Sequence, residues 1–226
     1  MIVFKNSAAG FLGFQFLFFL SAFLIAQWQG GKGFSLWGLS VNKGFLLYLL
    51  SGMWMGILFY GSIFFIAILL GSEKAGPMPS FAAIGGPLLL FVFGNFFSSF
   101  SEDILTRAYV NYHFGNRMKP LLLVIFSALI YLLNHIYKLD KGPATWIYLF
   151  ALGILYIIPL IVTKKLWFTG GMHWAGNSFF FFTHELIGVQ EAKGVLSFNG
   201  ILVLVALVFM PLVYVVSKFL YSKLSE

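Results

Sequence analysis

Seven apolar runs dominate this chain, at roughly residues 11–29, 45–71, 81–101, 120–137, 144–163, 166–183 and 199–217. A helix needs about 20 apolar residues to cross the hydrocarbon core of a bilayer. No water is available there, so each crossing segment must satisfy its own backbone hydrogen bonds, as a helix does. Composition agrees: 60% of the 226 residues are hydrophobic and 9% are charged, against about 25% charged in an ordinary soluble domain. The expected fold is all-α, a polytopic transmembrane helical bundle of about seven (six to eight) helices, with residues 1–226 forming a single membrane domain.

Short polar breaks separate the runs, and the Pro/Gly-rich GSEKAGPMPS (71–80) is the clearest loop. The third helix is expected to continue past its apolar part to about residue 112. Gly52 and Gly56 have the GxxxG spacing that lets membrane helices approach closely, although such glycines are also simply tolerated there. The opening MIVFKNSAAG lacks a cleavage pattern ahead of the first apolar run, so that run is expected to be retained. Seven spans put the termini on opposite faces. Lysines and arginines are then in excess on the C-terminal face, and only Lys5, Lys74, Lys138, Lys141 and Lys193 lie on the other, which favours a cytoplasmic C-terminus.

The net charge of +7 comes from basic residues scattered singly or in pairs between apolar runs. They form no basic face, so juxtamembrane placement explains them and nucleic acid is not an expected partner. The chain has no cysteine, which excludes disulfides, thiolate metal sites and a cysteine nucleophile.

Most acidic residues fall where a loop or terminus explains them: Glu73, Asp140, Glu185, Glu191 and Glu226. Glu102, Asp103 and Arg107 do not, and His135, His173 and Asn177 join them inside the apolar runs. Ionisable groups in a membrane span are expensive and mark candidate functional sites. His173 and Asn177 are four residues apart and share one helical face, as do Tyr131 and His135. Asp103 and Arg107 have the same spacing and can pair, which leaves Glu102 rotated off that line for another task. Three helices thus each offer a polar patch. An acid, two imidazoles and an amide around one pocket would supply the groups that activate water and stabilise an oxyanion. Each residue alone also has a structural reading, as a helix-end network, a carbonyl-bonded histidine or a helix-bridging asparagine.

The same residues resemble the motifs of the CPBP intramembrane proteases, also called the Abi or CAAX-protease family, which are EExxxR, FxxxH and HxxxN on separate helices. Here the first reads Glu102-Asp103-Ile104-Leu105-Thr106-Arg107, the second Tyr131-Leu132-Leu133-Asn134-His135 and the third His173-Trp174-Ala175-Gly176-Asn177. They occur in the family's order over a core of about residues 81–183. The resemblance implies an intramembrane endopeptidase acting on a membrane-associated peptide or a lipidated, CAAX-type protein tail. Glu102 would be the general base, His135 would help hold the water, and His173 with Asn177 would bind the oxyanion. Arg107 would orient the acidic pair. Asp103 stands where the family has a second glutamate, one methylene shorter; if that acid only braces Arg107, the shorter chain suffices. Phe179 to Phe182 and their neighbours would insulate the pocket.

No cofactor is favoured. Glu102, His135 and His173 are also a zinc-type ligand set, which makes zinc the alternative, but they come from three helices without an HExxH anchor. THELIG (183–188) opens like a zincin helix, yet Gly188 sits where the second ligand belongs. GGKGFS (30–35) imitates a phosphate loop without its spacing. Two other functions remain open: a family-fold protein of degenerate activity serving as a binding partner, and a small proton-linked transporter, which the lack of an internal repeat disfavours. The expected setting is the lipid bilayer of a prokaryotic plasma membrane, with a multi-pass topology; the sequence carries no signal for oligomeric state.

Overall fold

The computed structural model describes residues 7–225, so Lys5 and Glu226 lie outside the described residues. Among the described residues eight α-helices occupy the seven expected apolar runs: α1 (Ala8–Trp28), α2 (Phe45–Leu69), α3 (Phe81–Asp103), α4 (Tyr109–Phe114), α5 (Pro120–Asn134), α6 (Pro143–Thr163), α7 (Leu166–Phe181) and α8 (Phe198–Ser225). A π turn at Ile104–Ala108 joins α3 to α4, so the third span runs unbroken to Phe114. Five helical segments, including this fused one, are long and apolar enough to cross a membrane. The outward surface is apolar: Phe16, Leu89 and Val208 are each about two-thirds or more exposed. In water this would be an aggregating surface; in lipid it is the solvated face.

Local chemistry sets the helix ends. Ser7 caps α1 by accepting from the Gly10 N–H at 3.0 Å, and proline opens α5 and α6, where the missing N–H costs nothing. The turn at Gly38 has φ +81°, and its carbonyl accepts the Leu166 N–H at 3.0 Å, tying the 29–44 connection to the start of α7. A Cβ there would lie 2.9 Å from the Leu166 nitrogen. α5 ends three residues before its apolar run does. His135 leaves helical geometry (φ −103°, ψ 27°), and a 3-10 turn, Ile136–Lys141, follows.

Helix α7 is the hub, packing against α2, α3 and α6. Its contact with α2 is the closest, and the Gly52/Gly56 spacing explains it. A Cβ on Gly52 would collide with the Phe168 carbonyl and one on Gly56 with the Met172 carbonyl, while Gly171 returns the arrangement against the Leu49 carbonyl. Small residues on both helices bring backbone against backbone, which is how membrane helices gain dispersion contacts without a hydrophobic driving force. Asn95 then fixes α3 to α7: its amide donates to the Trp174 carbonyl at 3.0 Å and to Ser178 Oγ at 3.3 Å.

The loop over 71–80 carries a two-residue strand, β1 (Glu73–Lys74), which pairs antiparallel with β2 (Gln190–Glu191). Glu73 is buried rather than solvated, and its carboxylate meets His184 Nε2 at 2.9 Å. His184 lies on a second π turn, Phe182–Leu186, and stacks on Phe180 at 3.8 Å. The histidine of THELIG therefore has a structural acid partner.

Placing a branched side chain in the α2–α7 contact forces either the carbonyl ladder or the helix axis to move. Overpacking of this kind costs roughly 1–3 kcal/mol. Gly56→Val should lower the thermal unfolding midpoint in detergent, whereas the same change at Gly13, where a Cβ meets nothing within 4 Å, should leave it nearly unchanged. Equal midpoints for the two variants would refute the close-contact role.

Candidate active site

The π turn at 104–108 shapes the first motif. The Tyr109 N–H donates to the Ile104 carbonyl five residues back instead of four, and such turns cluster at functional sites. Hydroxyls satisfy carbonyls along the turn. Thr106 Oγ1 donates to the Glu102 carbonyl at 2.7 Å, and Ser127 Oγ of α5 donates to the Thr106 carbonyl at 2.8 Å.

Asp103 and Arg107 are completely buried and form the i, i+4 ion pair expected from their spacing. The same Asp103 Oδ1 accepts from His173 Nδ1 at 3.1 Å. Asp103 is thus shared between Arg107 and the third motif, a role that its short side chain fulfils. Arg107 also donates to Thr106 Oγ1 at 3.0 Å. Its Nε and second Nη have no hydrogen-bond partner among the described residues. Aromatic faces take their place: the guanidinium lies 4.5 Å from the Tyr131 ring centre and 5.1 Å from that of Tyr156, both within cation–π range.

Glu102 points elsewhere. Its carboxylate is 3.8 Å from His135 Nε2 and 3.7 Å from His173 Nε2. These gaps are too long for direct hydrogen bonds and leave all three groups within reach of one oxygen seated beside them. Asn134 Nδ2 donates to Glu102 Oε2 at 3.2 Å. The partners on the far sides of both rings assign the tautomers. His135 Nδ1 lies 3.0 Å from the Tyr131 carbonyl, an acceptor only, so it carries the proton; His173 Nδ1 donates to Asp103. Both Nε2 atoms therefore face Glu102. Tyr156 stacks on His173 at 4.9 Å and fixes the ring plane.

Glu102, His135, His173 and Asn177 all line one cavity of about 290 Å³. Asn177 makes no hydrogen bond with the described residues and lines this space from the turn beyond His173. The six residues singled out in the sequence thus converge, from three separate helical segments. Of Phe179 to Phe182, only Phe180 lines the cavity. Consecutive helical residues point about 100° apart, so Phe181 stacks instead on Phe91 at 3.8 Å and Phe179 packs toward Phe64. Asn134, Tyr156 and Lys138 escaped the sequence reading: Asn134 occupies a variable position of the second motif, Tyr156 sits within a long apolar run, and Lys138 reads as a loop cation. Among the described residues no set of three or more histidine, aspartate or glutamate side chains is arranged to hold a metal ion. Of the zinc-type trio, Glu102 lies within 4 Å of both His135 and His173.

Fold and site together define a polytopic helical membrane protein with an acid–histidine centre enclosed in its bundle. Residues 84–179, a span that holds all six motif residues, match the family described as type II CAAX prenyl endopeptidase Rce1-like. No curated protein and no solved structure matches the chain.

Buried ion pairs lose about 3–5 kcal/mol when one partner is removed, because the other charge is stranded. Arg107→Met should therefore destabilise the protein strongly, and Asp103→Asn combined with Arg107→Met should recover part of the loss. Thermal unfolding of the two single variants and the double variant checks this; strictly additive losses would show that the charges do not depend on one another.

Proposed function

We propose that this protein is an intramembrane endopeptidase that hydrolyses a membrane-associated peptide, with lipidated CAAX-type tails as the leading substrate class. The observation that carries the reading is the Glu102 carboxylate facing both imidazole Nε2 atoms at 3.7–3.8 Å inside the cavity. A water seated beside these groups donates one proton toward Glu102 and the other toward His135 Nε2. As the water oxygen attacks the scissile carbonyl carbon, Glu102 takes the proton and the carbonyl oxygen becomes an oxyanion. Asn177 donates its amide N–H to that oxygen. His173 donates from Nε2 when it carries a second proton, a charge flanked by Asp103 on one side and Glu102 on the other. Collapse of the tetrahedral intermediate breaks the C–N bond, and the Glu102 proton passes to the leaving amine.

Asp103 contacts no substrate in this scheme. It is a positioning residue, holding His173 and anchored by Arg107. The aspartate in place of glutamate is therefore compatible with activity, since its carboxylate already reaches both partners. The scheme uses water without a metal; if zinc were bound, Glu102, His135 and His173 would hold it and it would polarise the water.

Removing a general base typically costs 10²–10⁴-fold in rate, and removing one oxyanion donor about 10²–10³-fold. Purified protein should cleave a fluorogenic prenylated CAAX peptide. Glu102→Gln should lose at least about 10²-fold of that activity with its unfolding midpoint retained, and Asn177→Ala about 10²-fold. A zinc chelator should leave wild-type cleavage unchanged. Full activity in Glu102→Gln would sink the mechanism, and loss on chelation would replace the metal-free water with a metal-bound one.

A further inference from the structure

Besides its acid–histidine centre, the cavity contains a cation. Lys138 lies on the 3-10 turn after α5, and its backbone N–H donates to the His135 carbonyl at 2.8 Å. Residues i and i+3 eclipse in such a turn, with a rise of about 2 Å each, so Lys138 sits over His135 and roughly 6 Å further along. Its side chain lines the same cavity as Glu102 and lies 5.7 Å from the Tyr137 ring centre. Asn199, from the first turn of α8, lines the cavity too. Neither side chain has a hydrogen-bond or ion-pair partner among the described residues. Other charges nearby are Glu102, which favours the ammonium form, and Lys141, which disfavours it; burial pushes the Lys138 amine below the ordinary lysine value. A half-buried cation without a carboxylate partner is costly, and an anion brought by a ligand would offset that cost.

We propose that Lys138, assisted by Asn199, receives the free C-terminal carboxylate of the peptide whose scissile bond lies at Glu102. This assignment rests on the peptidase reading of the site and adds a substrate requirement to it. An extended peptide advances about 3.3–3.6 Å per residue, so the offset from His135 to Lys138 plus the lysine's own reach corresponds to a tail of only a few residues. The site then reads the end of a chain, and an internal bond of a long segment lacks the anchoring group.

Three labelled prenylated peptides test it: one with a free C-terminal carboxylate, one with a C-terminal carboxamide, and one amidated but ending in aspartate. Their binding to full-length protein is measured by fluorescence anisotropy in the cleavage-deficient Glu102→Gln background. Charge-assisted hydrogen bonds stabilise by more than neutral ones, and amidation should weaken binding about tenfold when Lys138 is present. In the added Lys138→Gln variant the difference should fall below about twofold, and Lys138→Arg should keep it. In the otherwise wild-type enzyme, Lys138→Gln should raise KM for the acid peptide while kcat stays within about twofold. An equal amidation penalty with and without Lys138, or none in either, overturns the assignment. Full binding of the aspartate-ending amide would move it to an acidic side chain and overturn the C-terminal reading. Carboxylate-dependent binding by a wild-type protein that leaves the peptide uncut would overturn the peptidase reading and leave the carboxylate site standing.

Discussion

The interaction on which this structure depends is the buried triad of Arg107, Asp103 and His173. Two opposite charges are held where neither reaches water, and a single carboxylate oxygen serves both the arginine and the imidazole. Desolvation of such a pair is expensive, and only close geometry with supporting contacts offsets it. The support is visible: two tyrosine faces lie against the guanidinium, Thr106 accepts one of its N–H groups, and Tyr156 also stacks on His173 at an inclination of 29°. The triad links α5, α6 and α7 to the third span, so the helices carrying the three motifs can hold only one relative rotation. Glu102 gains its position from that restriction, since the neighbouring Asp103 has already fixed which way the helix faces.

Precision at the site also needs α7 to be immobile, and the packing beneath it supplies that. Gly52, Gly56 and Gly171 let two backbones meet, while Asn95 binds an adjoining side of α7 through its main chain. The histidine of the third motif thus stands on a helix clamped from two directions. The ladder of Glu73–Lys74 with Gln190–Glu191 and the Glu73–His184 pair close the end of the same helix. Phe180 transmits this clamp to the cavity, because one face of its ring meets His184 and its side chain lines the cavity wall.

Much of this was legible in the sequence because lipid makes polarity conspicuous. The seven runs marked the helices of the bundle, five of which are long and apolar enough to cross a membrane, and the residues that no loop explained, Glu102 through Asn177, proved to converge. The GxxxG spacing left two readings open, and the short distance between α2 and α7 decides between them. What stayed hidden has physical reasons. Glu73 looked like a loop charge because a strand of two residues leaves no periodicity, and its burial depends on His184 over a hundred positions away. Tyr156 acts through its ring face, which an apolar helix displays without any polar signature. The Phe179–Phe182 run suggested a wall, but helical rotation sends only one of the four rings to the cavity. Lys138 was counted as a topology signal, and only the 3-10 turn after His135 brings it over the site.

The π turn at Ile104–Ala108 carries a consequence for how this chain can vary. It holds one residue more than the surrounding helix can place in register, and two hydroxyls, on Thr106 and Ser127, occupy carbonyls along it. Deleting a single residue there would restore an ordinary helix and leave Tyr109 and Val110 in nearly their present phase, whereas a deletion in the regular helix on either side would rotate everything beyond it by about 100°. Within the turn the loss would instead shorten the four-residue spacing that pairs Asp103 with Arg107. The span of residues 81–114 is therefore a helix that tolerates exchange among apolar side chains throughout, yet can absorb a change in residue count only at this one turn.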